Sequence, residues 1–343
     1  MTNNQALPSP THILAGKLCR DYFITPQGEP VLDVLGGNLT YAAVGLKIWD
    51  SEQPIGLLSR VGIDYPQLWL DDLAQKGFDI RGVNVLPEPL DVRNFYVYTD
   101  KVTRVTGNPI AYFSRLGLPL PKALLGYKDS PRALDNRTSL AQGSLRRADL
   151  PEPYTGAIAV HICPIDYMTH SLMPAVFRQE GLTTVTLDPN PGYMNANFWN
   201  DVPTILTGLT AFIPAEEDIR NLFEGRSDDL WEMAEAVAAY GCEFVVIKRG
   251  ERGQLLYDAA SKTRWEVPAY PAGLVNLTGV GDAFCGGFLA GYRHTYDPVE
   301  GMLYGNISAA IVSEGSGAFF ALDVLPGLAR ARLDSLRQAI RKL

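Results

Sequence analysis

The chain has 343 residues, enough for one large α/β domain or a domain with a smaller subdomain, and its 46% apolar and 20% charged composition is that of a globular protein with a sizeable core. A net charge of −8 argues against a nucleic-acid surface but leaves room for a local anion site. No apolar stretch reaches the length of a membrane span, residues 1–5 lack the charged and apolar regions of a signal peptide, and Cys19, Cys163, Cys242 and Cys285 form no ligand pair, so a cytoplasmic protein without structural zinc is expected.

Residues 13–16 read as a short first strand, with Asp21 where it would end. Ligands in open α/β sheets sit outside strand carboxyl ends, so Asp21 is a candidate acceptor for a substrate hydroxyl; an Asp capping a turn is the equal alternative. Gly36, Gly37 and Asn38 lead into a helix of small residues, 40–48. Asn38 offers both a donor and an acceptor for a polyol, or simply caps the turn. A strand at 55–62 precedes a helix through Leu68, Leu70, Leu73 and Ala74 that ends at Gly77. Aromatics alternate over 92–98, which reads as an exposed or edge strand. Residues 101–156 carry several prolines and little periodicity and read as a long insertion or mobile excursion.

A regular αβ alternation follows: a buried strand at 157–162, a helix at 173–181, a strand at 184–188 and another at 211–214. Glu216, Glu217 and Asp218 then open a helix. They could hold Mg²⁺ through water, although first-turn carboxylates that match the helix dipole are the stronger reading. The apolar strand 244–248 runs into a glycine turn, 249–253, where Lys248 and Arg252 could meet phosphates or be ordinary solvated charge. Residues 299–310 read as a helix and 328–343 as a basic amphipathic one. His161 sits in an apolar strand and reads as a core residue. The sequence has no P-loop and no G-x-S-x-G elbow.

The stretch 276–284 has two glycines bracketing Val280, then Asp282, then apolar residues at helical spacing. This reads as a tight turn opening a helix. The unpaired N–H groups of such a helix start attract an anion, and a carboxylate beside them could take a proton from a hydroxyl. A plain helix start with a favourable acidic residue fits the same letters.

In their order these features resemble the ribokinase-like (PfkB-type) carbohydrate kinases over nearly the whole chain. The segment 36–46 is similar to the family's early Gly-Gly signature, 247–253 to its strand and G-x-x-G turn, and 275–288 to its D-T-x-G-A-G-D signature. The resemblance implies a single domain, 1–343, with a three-layer α/β/α core around a mostly parallel sheet. It also implies a small β-sheet lid built near 22–34 and 91–116, with 117–156 left as an irregular insertion. It implies ATP-dependent phosphorylation of a primary hydroxyl on a small sugar or sugar derivative, with Asp282 as general base and an anion hole at Gly279, Val280 and Gly281. By position Asp21, Gly37, Asn38 and Tyr41 would line the substrate site. Lys248, Gly250, Arg252, Gly253 and Asn306 would lie near the nucleotide, and Asp218 with Glu217 would hold Mg²⁺ alongside the ATP phosphates. Lids in this family often pair two subunits, so a homodimer through the lid is a further expectation.

Three departures stand out. Asn276 and Leu277 replace the signature's Asp and Thr, in a region that binds a monovalent cation in many members, so potassium activation is doubtful. The family's N-x-x-E motif reads Ala215-Glu216-Glu217-Asp218 here. Tyr41 stands where ribokinases carry an asparagine, which argues against plain ribose. Tyr41 and the aromatics Phe95, Tyr96 and Tyr98 motivate a nucleoside kinase as the alternative, and the altered metal motif a binding protein that has lost activity.

Overall fold

The computed structural model describes residues 8–101, 103–128, 136–325 and 327–343. The chain opens with strand β1 (His12–Ala15), then β2 (Cys19–Ile24) and β3 (Pro30–Gly36), helix α1 (Asn38–Lys47), β4 (Ile55–Gly62), α2 (Gln67–Gln75) and β5 (Phe78–Leu86). Next come β6 (Arg93–Tyr98), β7 (Arg104–Thr106) and α3 (Pro109–Arg115). After a stretch of short 3₁₀ turns the alternation resumes with β8 (Ala159–Ile162), α4 (Tyr167–Gln179), β9 (Thr184–Leu187), α5 (Val202–Leu206), β10 (Ala211–Phe212), α6 (Glu216–Leu222) and α7 (Leu230–Ala238). Strands β11 (Phe244–Lys248), β12 (Gln254–Asp258) and β13 (Thr263–Val267) precede the helix pair α8 (Val280–Thr295) and α9 (Pro298–Ser313), then α10 (Leu328–Leu336) and β14 (Arg341–Lys342).

Among the described residues ten strands form the large sheet, in the order β14-β13-β12-β11-β10-β9-β8-β1-β4-β5. From β11 to β5 every neighbouring pair is parallel, and β12, β13 and β14 add an antiparallel border. Strands of such a sheet are covered on both faces and so are apolar at every position rather than at alternate ones. Ile13, Leu14 and Ala15 are all fully buried, yet they face opposite ways. Leu14 packs with α1, α8 and α9, while Ile13 and Ala15 pack with the layer of α4 to α7. The result is a three-layer α/β/α body. Strand β1 lies between β4 and β8, and the chain runs from it first to one side and then to the other. That reversal opens a crevice at the strand carboxyl ends. Among the described residues no helix is long and apolar enough to cross a membrane.

The small sheet, ordered β3-β2-β6-β7, stands over those carboxyl ends. The period-2 alternation of its two central strands sorts their side chains. Tyr22, Ile24, Phe95 and Val97 face outward and are covered by Phe113 of α3 and by Leu124. Phe23, Tyr96 and Tyr98 face the large domain, against Val34 and Leu277. Strand 93–98 is therefore an interior, buried strand, not the exposed or edge strand its alternation suggests. Both of its faces have cover, because the chain's own segment packs on the outer one.

Three other expectations change. Asp21 lies inside β2 of the small sheet instead of at the end of the first strand. The 101–156 stretch, where it is described, is packed at several points: Phe113, Leu124, Leu145 and Tyr154 are buried, and the Tyr154 hydroxyl donates to the Asp79 carbonyl at 2.6 Å. Residues 102 and 129–135 of that stretch lie outside the described residues. The C-terminal helix stops at Leu336, and Arg341 and Lys342 instead pair with Glu266 and Trp265 at the sheet border.

Candidate active site

The site is built on the turn before α8. Gly279 takes φ +74°, and a Cβ at this position would lie 1.9 Å from Cγ of Tyr41. Both the backbone angle and the ring beneath it exclude any larger residue. Asn276 shapes the approach, its Oδ1 accepting the Thr278 N–H at 2.8 Å. Val280 donates its N–H to the Leu277 carbonyl, which leaves the amides of Gly279, Gly281 and Asp282 at the open end of the helix. Of the expected Gly279, Val280 and Gly281 set, Val280 is the member whose amide is taken within the turn. Asp282 sits in the first turn.

Two spaces meet at this turn. A cavity of about 470 Å³ under the small sheet is lined by Asp21, Phe23, Tyr41, Tyr96, Tyr98 and Asn276, among others. A cleft of about 300 Å³ beside it is lined by Asp282, Asp188, Asp218, Lys248, Arg104 and Gly281, among others. Tyr98 borders both. The cavity is mostly aromatic and aliphatic with one carboxylate, and the cleft is charged.

In the cavity Asp21 is held from three sides. Asn94 Nδ2 donates to it at 3.1 Å, the Tyr96 hydroxyl donates at 3.3 Å, and the Gly37 amide also donates to it. Gly36, on the neighbouring strand, lies against it: a Cβ there would fall 2.0 Å from the carboxylate. Burial pushes the Asp21 carboxyl up to about 6, against those donors. Tyr98 shares a 2.5 Å hydrogen bond with the Thr278 hydroxyl, which ties the small sheet to the turn.

In the cleft Lys248 ends β11 and pairs with Asp188, the residue that follows β9. Burial opposes the ammonium charge most strongly, but Asp188, Cys285 and Asp282 together outweigh it and hold Lys248 above the usual lysine range. Burial, reinforced by Asp188, pushes Asp282 up to about 7, with Lys248 and Arg104 opposing. The same first two causes push Asp218 up to about 7. The cleft thus gathers three carboxylates around one lysine, and two of the three titrate near neutrality.

Of the residues singled out in the sequence, Asp282, Gly279, Gly281, Lys248 and Asp218 come together in the cleft, and Asp21 and Tyr41 in the cavity. Others do not. The Asn38 amide is used within the fold, accepting the Lys17 N–H at 2.8 Å and donating to the Pro164 carbonyl at 2.6 Å. Asn306 is buried and likewise committed: it accepts from Tyr270 N and donates to Gln254 and to the Pro268 carbonyl. Arg252 pairs with Glu216, and neither it nor Gly250, Gly253 or Asn306 lines the cavity or the cleft. Glu217 is exposed and outside the cleft. Sequence reasoning missed Asp188, whose signal was available, since it stands at a strand end before Pro189. It also missed Thr278 and Arg104, and it named Tyr98 only as one of the aromatics; the contacts of all three depend on the small sheet meeting the turn.

No cluster of three or more His, Cys, Asp or Glu side chains placed to hold a metal occurs among the described residues. The donor set present, Asp218 with Asp188, fits Mg²⁺ in the manner usual for nucleotide enzymes, where one or two carboxylates, waters and phosphates share the ion. Asp218 also gives a prediction. Its carboxyl stays protonated up to about pH 7 when folded but ionises near 3.8 when free, so it costs stability as pH rises through that window. Asp218→Asn is expected to raise the melting temperature of the metal-free protein at pH 8, by no more than ~4 kcal/mol in free energy, and to leave it unchanged at pH 4. Differential scanning fluorimetry at the two pH values checks this; equal melting temperatures at pH 8 would contradict it.

Known proteins that this chain resembles are α/β phosphotransferases. The family model for pfkB family carbohydrate kinases matches residues 164–324. A cytidine kinase of Thermococcus kodakarensis is 27% identical over 282 residues, which cover 82% of this chain and 87% of that protein. Among solved structures, a Burkholderia thailandensis nucleoside kinase in complex with inosine superposes with a TM-score of 0.67 at 16% identity, covering 95% of this chain and 98% of that one. A ribokinase of Thermotoga maritima superposes with a TM-score of 0.65 at 17% identity, covering 96% of this chain and 99% of that one. The chain is similar to ribokinase-like kinases of the PfkB type, whose family model covers just under half of it.

Proposed function

We propose that this protein transfers the γ-phosphoryl group of ATP to a hydroxyl of a small sugar or sugar-bearing compound seated in the cavity under the small sheet. The observation that carries this is the position of Asp282. It borders the charged cleft, while its own turn rests on Tyr41 of the cavity, so an acceptor hydroxyl and a phosphoryl group can meet at one carboxylate. In its ionised form Asp282 takes the hydroxyl proton. The amides of Gly279 and Gly281 face the charge that builds on the transferred group, and Lys248 lies within the same cleft. Mg²⁺ shared by Asp218, Asp188 and the phosphates would neutralise part of that charge. Asp21, fixed by Asn94 and Tyr96, accepts hydrogen bonds from the acceptor's other hydroxyls. The small sheet, closing over the acceptor, keeps water from competing for the phosphoryl group.

A nucleoside is the second reading, and one observation favours it. Phe23, Tyr41, Tyr96 and Tyr98 all line the cavity with Val31, Val34 and Leu35, a larger apolar wall than a free sugar fills. The cytidine kinase relative supports the same direction.

The test is ADP release from Mg-ATP against a panel of sugars, sugar acids and nucleosides. One acceptor class is expected to stimulate release, with kcat/KM falling on the acid side of about pH 7 as Asp282 takes up a proton. ATP binding without acceptor-dependent turnover across the whole panel would defeat the kinase reading.

A further inference from the structure

The charge in the cleft does not balance for an incoming phosphate. Three carboxylates line it, and Lys248 is already engaged by Asp188. Among the described residues its other lining cation is Arg104, which comes from the small sheet. Arg104 is exposed and makes no ion pair among the described residues; its guanidinium rests over the Tyr96 ring, 5.2 Å from the centroid. Its placement follows from strand register. Arg104 on β7 lies directly opposite Tyr98 on β6, so the two side chains share the face that looks into the site, and Tyr96 is the diagonal neighbour on that face. Tyr98 is in turn hydrogen-bonded to Thr278, the residue before the Gly279 turn. The Tyr98–Thr278 bond thus sets the hairpin, and with it Arg104, against the turn that opens α8.

We propose that Arg104 is a catalytic residue carried by the small sheet, one that grips the γ-phosphoryl group during transfer, and that the Tyr98–Thr278 hydrogen bond is the latch that positions it. This rests on the kinase reading above. A guanidinium can bond two phosphoryl oxygens at once, remains charged at every relevant pH, and stacks on an aromatic ring while it waits, as Arg104 does on Tyr96. A docked small sheet therefore completes the charge complement of the cleft, and an undocked one leaves it short by one cation.

The test compares the wild type with Arg104→Gln and Arg104→Lys in two measurements. The first is calorimetric affinity for ADP and for a non-hydrolysable imido analogue of ATP. Arg104→Gln is expected to weaken the analogue about tenfold and leave ADP unchanged, with Arg104→Lys between the two. The second is turnover with the acceptor found in the panel. A loss of ~10²–10³-fold in kcat, partly restored by added guanidinium, is expected from removing one donor to the transferred group. A packing role over Tyr96 would move neither the analogue-to-ADP ratio nor the guanidinium response, and unchanged values of both overturn the proposal. So does a variant whose only defect is a raised acceptor KM. If no acceptor turns over for any form of the protein, the kinase reading fails, and the affinity ratio alone then decides whether Arg104 holds the terminal phosphate.

Discussion

Asp282→Asn is expected to lower kcat by ~10²–10⁴-fold while the protein keeps its fold and its affinity for ATP. The size follows from what a positioned base contributes to proton transfer. The substitution keeps the shape of the side chain in the first turn of α8 and removes only its capacity to accept the proton. Its effect on stability has a definite sign. The folded protein holds the Asp282 proton up to about pH 7, whereas the free carboxyl releases it near 3.8. Between those values the folded state binds more protons than the unfolded one, so stability falls as pH rises, and above pH 7 the ionised carboxylate is a net cost. The variant should therefore be at least as stable as the wild type at pH 8. A coupled ADP-release assay together with a melting curve at pH 8 separates loss of chemistry from loss of structure. Turnover within tenfold of the wild type would remove Asp282 from the mechanism.

This residue was legible because everything that defines it is local. Two glycines, a carboxylate and the start of an apolar helical run lie within nine positions, and the positive φ of Gly279 is what such a pattern demands. The sheet was legible for a related reason: buried parallel strands are short apolar runs, and 157–162 and 184–188 announce themselves. Side-chain commitments were not legible. Asn38 and Asn306 have the right chemistry to meet a ligand, yet each spends its amide on the backbone of segments far away in sequence. Nothing in their neighbours' letters shows it. Glu217 and Asp218 are adjacent in sequence but point about 100° apart on the helix, so only Asp218 reaches the cleft. Arg104 sits in a strand of three residues, too short for any periodic signal, and owes its place to its register with Tyr98. The departures in the signature are also partly explained by contacts: Asn276 caps the turn through Thr278, and Leu277 packs beneath Phe23, Tyr96 and Tyr98.

The pairing of Asp188 with Lys248 spans 60 positions, and it gives the largest expected effect on stability. Lys248→Met would leave Asp188 buried with no counter-ion, beside Asp282 and Asp218, whose carboxyls its charge already raises. Removing one member of a buried pair costs ~3–5 kcal/mol, because the remaining charge has neither water nor partner. The cost should be largest at pH 8 and should shrink as pH falls and the three carboxyls take up protons. Lys248 also opposes the rise in the Asp282 carboxyl, so any residual activity of the variant should need a higher pH than that of the wild type. Urea denaturation at pH 8 and pH 5.5 measures the first effect, and the acid limb of kcat/KM the second. A double variant distinguishes a structural ion pair from a phosphate ligand. Asp188→Asn with Lys248→Met leaves no orphaned charge at that pair, so stability should return toward the wild-type value. Activity should not return, because the lysine lining the cleft is still absent. If the double variant were no more stable than Lys248→Met alone, the orphaned Asp188 would not be the source of the loss. If it recovered full turnover, Lys248 would be only a counter-ion for Asp188, and the phosphate would have to be held by the turn amides and Arg104 alone.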